Sequence, residues 1–399
     1  MINRVLFFLF LILLPTQFGK HFFFDFSYLF GIRVDYLAPA IYLTDTIIFF
    51  IAAVNFKIVT KFFKNKKILF SLLLLLINIY FSKLTLISIY WFIKIVELLI
   101  IVSLSKRILI TLKERYILVG LLLSGLFEFS LSIYQLINKH SIQGVFYYFG
   151  ERLLTLSTPG VAKASIQGVE FLRPYGTFSH PNSMSGFFLL LYFFVLTYKK
   201  FDRYVILKYL FLFISSTLIF ISFSKVSIIS YLILNTLYFI LNTKIRCQIC
   251  KFARMVTIFI ISLIFLQATT DPLTINKRIE LIKNSTTIIL NNPIFGVGLG
   301  GYLIEQIKYP SQYYLFFNQP VHNIFLLFIS ETGLIIGGLL LYLLVNLLIK
   351  QKLSKNQWLL IFAIIFTGFF DHYWLTLQQN FLLMGLIMGV ILSRGVSAD

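Results

Sequence analysis

Charge is what this chain has least of. Only 13% of its 399 residues are Asp, Glu, Lys or Arg, about half the share usual in a soluble domain, while 59% are apolar. No soluble fold of this length covers so much apolar surface, which excludes a water-solvated globular protein. Acidic residues are scarcer still, 15 against 35 Lys and Arg, for a formal net charge of +20. The basic residues sit in short clusters between apolar runs rather than along one face, which excludes a nucleic-acid surface. Cysteine is limited to Cys247 and Cys250. A lone C-x-x-C without a second pair or a nearby His is expected to be two unpaired thiols in a cytoplasmic, reducing turn. The five His residues show no close ligand spacing such as H-x-x-x-H, so neither metal nor other cofactor is expected. No small-residue cleavage site follows Val5–Leu14, which is therefore expected to be a retained first helix.

What the chain has is continuous apolar sequence. In lipid every backbone N–H and C=O needs an internal partner, so only helices or closed barrels span. Unbroken rather than alternating apolar runs select helices. Spans are expected near 5–14, 41–56, 68–81, 86–104, 116–137, 184–198, 204–221, 226–241, 255–268, 322–349, 358–374 and 380–393. The fold class is thus an all-α, polytopic transmembrane bundle of about twelve spans, forming one membrane domain over residues 1–399.

Basic clusters fix the sidedness. Lys57–Lys67, Lys106–Arg115, Lys199–Arg203, Lys244–Arg254 and Lys350–Lys355 all fall on one side of the alternating turns, the cytoplasmic one. The N-terminus is then cytoplasmic, and two long loops, 138–183 and 269–321, lie outside. Residues 279–291 read as an amphipathic interfacial helix. Within the spans, Lys94 and Glu97 sit three apart and can neutralise one another. Glu128 and Glu331 are intramembrane carboxylates, which pack a bundle or serve a function.

Chemistry-bearing residues gather outside. Arg173-Pro174-Tyr175-Gly176-Thr177-Phe178-Ser179-His180-Pro181-Asn182 is a compact turn before a span, and a guanidinium there suits a phosphate. Ser222-Phe223-Ser224-Lys225 places a Lys against the positive-inside pattern, which asks for an anionic partner. Arg278 precedes the glycine run Gly296-Val297-Gly298-Leu299-Gly300-Gly301-Tyr302, whose backbone can approach a ligand closely. His322-Asn323 opens a span, where an imidazole can act as a base near neutral pH. Asp371-His372-Tyr373 begins the last external turn.

Taken in order, these clusters resemble the O-antigen ligase and O-antigen polymerase family from about residue 170 to 390, with Ser224-Lys225 where the family commonly has Ser-Arg. The resemblance implies a metal-independent membrane glycosyltransferase in the cytoplasmic (inner) membrane. Its donor would be an undecaprenyl-diphosphate-linked oligosaccharide, its acceptor a hydroxyl of a glycan, lipid or protein, with membrane lipid around it. In that reading His322 and Arg278 are catalytic, Lys225 and Arg173 bind the diphosphate, and Tyr175, His180, Asn182, Tyr302, Asn323, Asp371 and His372 contact substrate. The rival class is a transporter or flippase of lipid-linked saccharides, which would place its site near the midplane between internal repeats.

Sidedness is testable by cysteine labelling. Single cysteines at Lys61, Lys200 and Lys352 should resist impermeant reagents added outside, whereas positions 160 and 310 should react. Labelling of 160 and 310 from the cytoplasm alone would reverse the orientation.

Overall fold

The computed structural model describes residues 1–242, 247–269, 273–309 and 319–393; Lys244, Arg246 and the 270–272 and 310–318 parts of the second long loop lie outside them. Each of the twelve apolar runs forms helix. They are α1 (Ile2–Leu13), α2 (Leu43–Val54) continuing into α3 (Phe56–Phe63), α4 (Lys66–Tyr80), α5 (Thr85–Thr111) and α6 (Glu114–Asn138). After a short α7 (Val145–Tyr148) come α8 (Pro181–Thr197), α9 (Val205–Ile221), α10 (Lys225–Leu241) and α11 (Gln248–Leu266). The second long loop holds α12 (Thr274–Asn291) and α13 (Tyr302–Gln306); α14 (Ile324–Lys350), α15 (Lys355–Gly368), α16 (Tyr373–Thr376) and α17 (Gln378–Leu392) complete the chain. By length and composition α5, α6, α11 and α14 can each cross a membrane, and α2–α3 can do so as a pair bent by 91°. The remaining apolar helices are shorter.

Packing follows from the sequence. Helix α8 is apolar all round and, apart from Asn182, buried along its whole length, which makes it the axis of the bundle. Gly385 and Gly389 stand four apart on α17 and lie directly against Leu98, Val102 and Ser105 of α5, a small-residue seam that lets two helices approach closely. Lys94 of α5 pairs with Glu97 as the spacing requires, and also with Asp45 of α2.

The all-α expectation needs correction, because strands occur in the long connections. β1 (Gly19–His21) pairs with β4 (Ala40–Tyr42), β2 (Tyr28–Leu29) with β3 (Ile32–Arg33), and β5 (Lys163–Ile166) with β6 (Val169–Leu172), all antiparallel. Two of the hairpins turn on a residue–Gly pair with positive φ at both positions, Phe30-Gly31 and Gln167-Gly168, the geometry that matches strand twist. Strands of two to four residues leave no periodic signature. A second correction concerns Cys247 and Cys250, which form a disulfide. Cys247 caps α11 and its Sγ accepts the Cys250 N–H at 3.0 Å, so the first helical turn brings the two side chains together.

The glycine run does approach something closely, but it is the protein itself. Helix α14 breaks at Gly333 (φ 78°, ψ 165°), and the 293–298 segment docks into the break. Val297 and Gly298 donate to the Ser330 and Glu331 carbonyls at 3.0 and 2.9 Å, and Leu334 donates to Pro293 at 2.7 Å. A Cβ on Gly296 (φ +66°) would meet Glu331 and Gly333 main chain at 2.5 Å, whereas one on Gly31 (φ +77°) would meet nothing.

Gly31→Ala therefore carries only left-handed strain, about 1 kcal/mol. Gly296→Ala adds a main-chain clash and should cost about 1–3 kcal/mol more. Thermal unfolding in detergent should place Gly296→Ala clearly below Gly31→Ala; equal midpoints would mean the loop is not docked.

Candidate functional site

The site is built on α6. Gln135 accepts the N–H groups of Tyr175 and Gly176, both at 2.9 Å, and donates to Glu151 at 2.9 Å. Two turns earlier, Glu128 accepts the Thr177 N–H at 3.0 Å and the Thr177 hydroxyl at 2.5 Å. These two side chains satisfy the backbone of a loop that carries Pro174 and Gly176 and has no sheet or helix of its own, as buried polar groups require. Gly176 (φ +57°) must lack a Cβ, which would stand 2.2 Å from the Glu128 carboxylate.

The clamped loop delivers Arg173, which is 8% exposed. Its Nε donates to the Ser222 carbonyl at 2.7 Å and its Nη2 to Asn182 Oδ1 at 2.6 Å. Asn182 Nδ2 donates in turn to Asp371 Oδ2 at 3.0 Å. Three segments distant in sequence, the first long loop, the Ser222–Lys225 turn and the last turn, are thereby joined through one buried chain. Lys225 stands exposed at the start of α10. His180 caps α8, its Nδ1 accepting the Asn182 N–H at 3.1 Å, and the Tyr175 ring lies 5.9 Å from it.

Beyond Asp371 the chain reaches a pair of imidazoles. His372 N–H donates to Asp371 Oδ1 at 2.8 Å, and the His322 and His372 ring centroids are 5.1 Å apart. Tyr36, from the α1–α2 connection, stacks edge-on against His372 at 5.5 Å. His322 Nδ1 and Arg278 Nε are buried with no hydrogen-bond partner among the described residues. Ligand atoms of His322, Asp371 and His372 lie within 4.8 Å of one another, so side chains 50 residues apart in sequence form a group that close spacing does not reveal.

The electrostatics is that of a buried, cation-rich cluster. Burial, with help from Arg173, lowers the His180 imidazole to about 3. Burial also lowers His322, to about 3, and His372, against the opposing pull of Asp371, with Arg278 pushing both down further. The imidazoles are thus neutral at neutral pH. Burial would raise Asp371, but His322, His372 and Arg278 outweigh it and hold the carboxyl below its ordinary range. Burial brings Arg173 down to about 10, still charged at neutral pH.

The structure therefore brings Arg173, Tyr175, His180, Asn182, Asp371, His372 and His322 together, with Arg278 close enough to act on them electrostatically. Two other expected residues are engaged elsewhere. Asn323 caps α14, accepting from Phe325 and Leu326 at 2.9 and 3.0 Å. Tyr302 is 1% exposed, inside an apolar cluster with Leu281 and Val297. Gln135, Thr376 and Tyr36 have no counterpart in the sequence reading. Of these only Tyr36 had a local signal, the run of aromatics from Phe18 to Tyr36.

Residues 182–343 match the family model described as O-antigen ligase. The match runs from the first turn of α8 into α14 and supports an O-antigen ligase/polymerase-like family for the chain. With the apolar helices it points to a multi-pass membrane protein. No curated protein matches the chain.

Because Arg173 is bonded to protein before any ligand arrives, Arg173→Lys should destabilise the ligand-free protein. The two acceptors diverge and one ammonium cannot reproduce the fork, so the loss should be about 1.5–3 kcal/mol. A midpoint unchanged from wild type in detergent unfolding would show that Arg173 does not hold the segments together.

Proposed function

Proceeding from an O-antigen ligase-like stretch over residues 182–343, we propose that the chain is a metal-independent glycosyltransferase. It moves or polymerises oligosaccharide from an undecaprenyl-diphosphate carrier onto an acceptor hydroxyl at the outer face of the cytoplasmic membrane. This reading takes twelve spans and a cytoplasmic N-terminus from the basic turns, with the Arg173–His372 site on the outer face. The observation that carries the reading is that Arg278 acts electrostatically on a neutral imidazole, His322, while Arg278 Nε and His322 Nδ1 are both buried with no hydrogen-bond partner among the described residues.

The acceptor oxygen attacks the anomeric carbon and passes its proton to His322. The bond from that carbon to the diphosphate oxygen breaks, and the leaving diphosphate keeps the electron pair. Arg278 and Lys225 stabilise the charge on it, which fixed cations do best in a site that excludes water. Arg173 contributes its charge from behind while holding Asn182 and Asp371. His180, Tyr175 and His372 line the sugar side.

Either His322→Ala or Arg278→Ala should lower transfer by about 10²–10⁴-fold in excess EDTA. Only Arg278→Ala should weaken donor binding, and the double variant should cost far less than the product of the single losses. The pH profile adds a sign. His322 loses its base form as pH falls through its folded pKa, so kcat/KM should have its acid limb far below pH 6.5. In the donor complex the diphosphate charge lifts the imidazole, so the acid limb of kcat should lie higher. Wild-type rates in both single variants, at matched insertion, would remove these residues from the reaction and favour a flippase.

A further inference from the structure

We propose that His322, Asp371 and His372 form a binding site for a divalent transition metal of the zinc class, and that occupancy switches the transferase off. The inhibitory half rests on the role of His322 proposed above; the binding half rests on geometry alone.

Three donors converge from two turns, two imidazoles and a carboxylate, with ligand atoms within 4.8 Å of one another. Imidazole with carboxylate is a donor set that suits zinc, and three protein ligands plus an open position is a familiar zinc arrangement. Two of the three ligands are also held from behind, as metal ligands are. The Thr376 hydroxyl lies 2.7 Å from His372 Nδ1 and 3.2 Å from the His372 carbonyl. With the hydroxyl donating to the carbonyl it accepts from Nδ1–H, the tautomer that leaves the His372 Nε2 lone pair free for a metal. Asp371 is oriented by Asn182 and by the His372 N–H. His322 Nδ1 is buried and has no hydrogen-bond partner among the described residues, a cost that a metal would relieve.

The charged groups facing the cluster are Arg278 and, through Asn182, Arg173. Arg278 repels a dication, which keeps the affinity below that of a charge-free site and makes the metal removable. Once bound, the metal occupies the His322 lone pair that would accept the acceptor's proton. The same cation beside Arg278 also attracts diphosphate into an unproductive pose.

The test uses the full chain without a polyhistidine tag, in detergent. Equilibrium dialysis should find one Zn²⁺ bound to the wild type. His372→Ala, and the nearly isosteric Thr376→Val, should each weaken it tenfold or more, since losing a partner behind a ligand costs about 10–100-fold. Glycan transfer should fall as Zn²⁺ fills the site and recover fully in EDTA. Zinc affinity equal in the wild type and both variants would overturn the site, and transfer that rises with Zn²⁺ would overturn the inhibition. Thr376→Val keeps the cluster and the fold should His372→Ala unfold. If His322→Ala retains full transfer in EDTA, the base assignment fails, while the dialysis, which needs no turnover, still judges the metal site.

Discussion

The site depends on a single buried hydrogen-bond chain, Arg173 to Asn182 to Asp371. A guanidinium and a carboxylate are both taken out of water here, and each needs a full set of hydrogen-bond partners. The Ser222 carbonyl and the His372 N–H supply the remaining bonds at the two ends. Removing any link leaves an uncompensated buried charge, so the three segments rise or fall as one. The arrangement also fixes what lies beyond it. Asp371 sets the position of His372, and the two imidazoles stand at ring-contact distance.

Around this chain the bundle holds each segment at a second point. Glu128 and Gln135 grip the Tyr175–Thr177 backbone from α6. The glycine run grips the break in α14, about three turns beyond His322. Intramembrane carboxylates usually mark function or packing, and here Glu128 joins the two, since its packing partner is the loop that carries Arg173. The result is a set of polar groups on loops whose positions are set by helices, the condition for electrostatic stabilisation without reorganisation.

How much of this was legible follows from the range of each interaction. The helices were legible because twelve unbroken apolar runs are local signals, and each became a helix. Arg173, Asn182, His322 and Asp371 stood out because polar residues of that kind are costly at the edge of a span. Their contacts did not, since Asn182 and Asp371 are 189 residues apart. The hairpins were missed because strands of two to four residues have no period to detect. Gly296, Gly298 and Gly300 were rightly read as positions of close approach, but sequence does not say whether the neighbour is a ligand or another helix. Helix α12 begins earlier than its amphipathic stretch indicated and includes Arg278, so a rigid element rather than a loop presents that guanidinium to the imidazoles.

A transferase makes a glycosidic bond, whereas a flippase carries its donor intact. The two are separated by mass spectrometry of products from liposomes that contain only the purified chain, a lipid-diphosphate-linked oligosaccharide and a hydroxyl acceptor. Transfer yields acceptor enlarged by the oligosaccharide together with free lipid diphosphate in equal amount. Intact donor recovered on the opposite leaflet, with no enlarged acceptor, would contradict transfer.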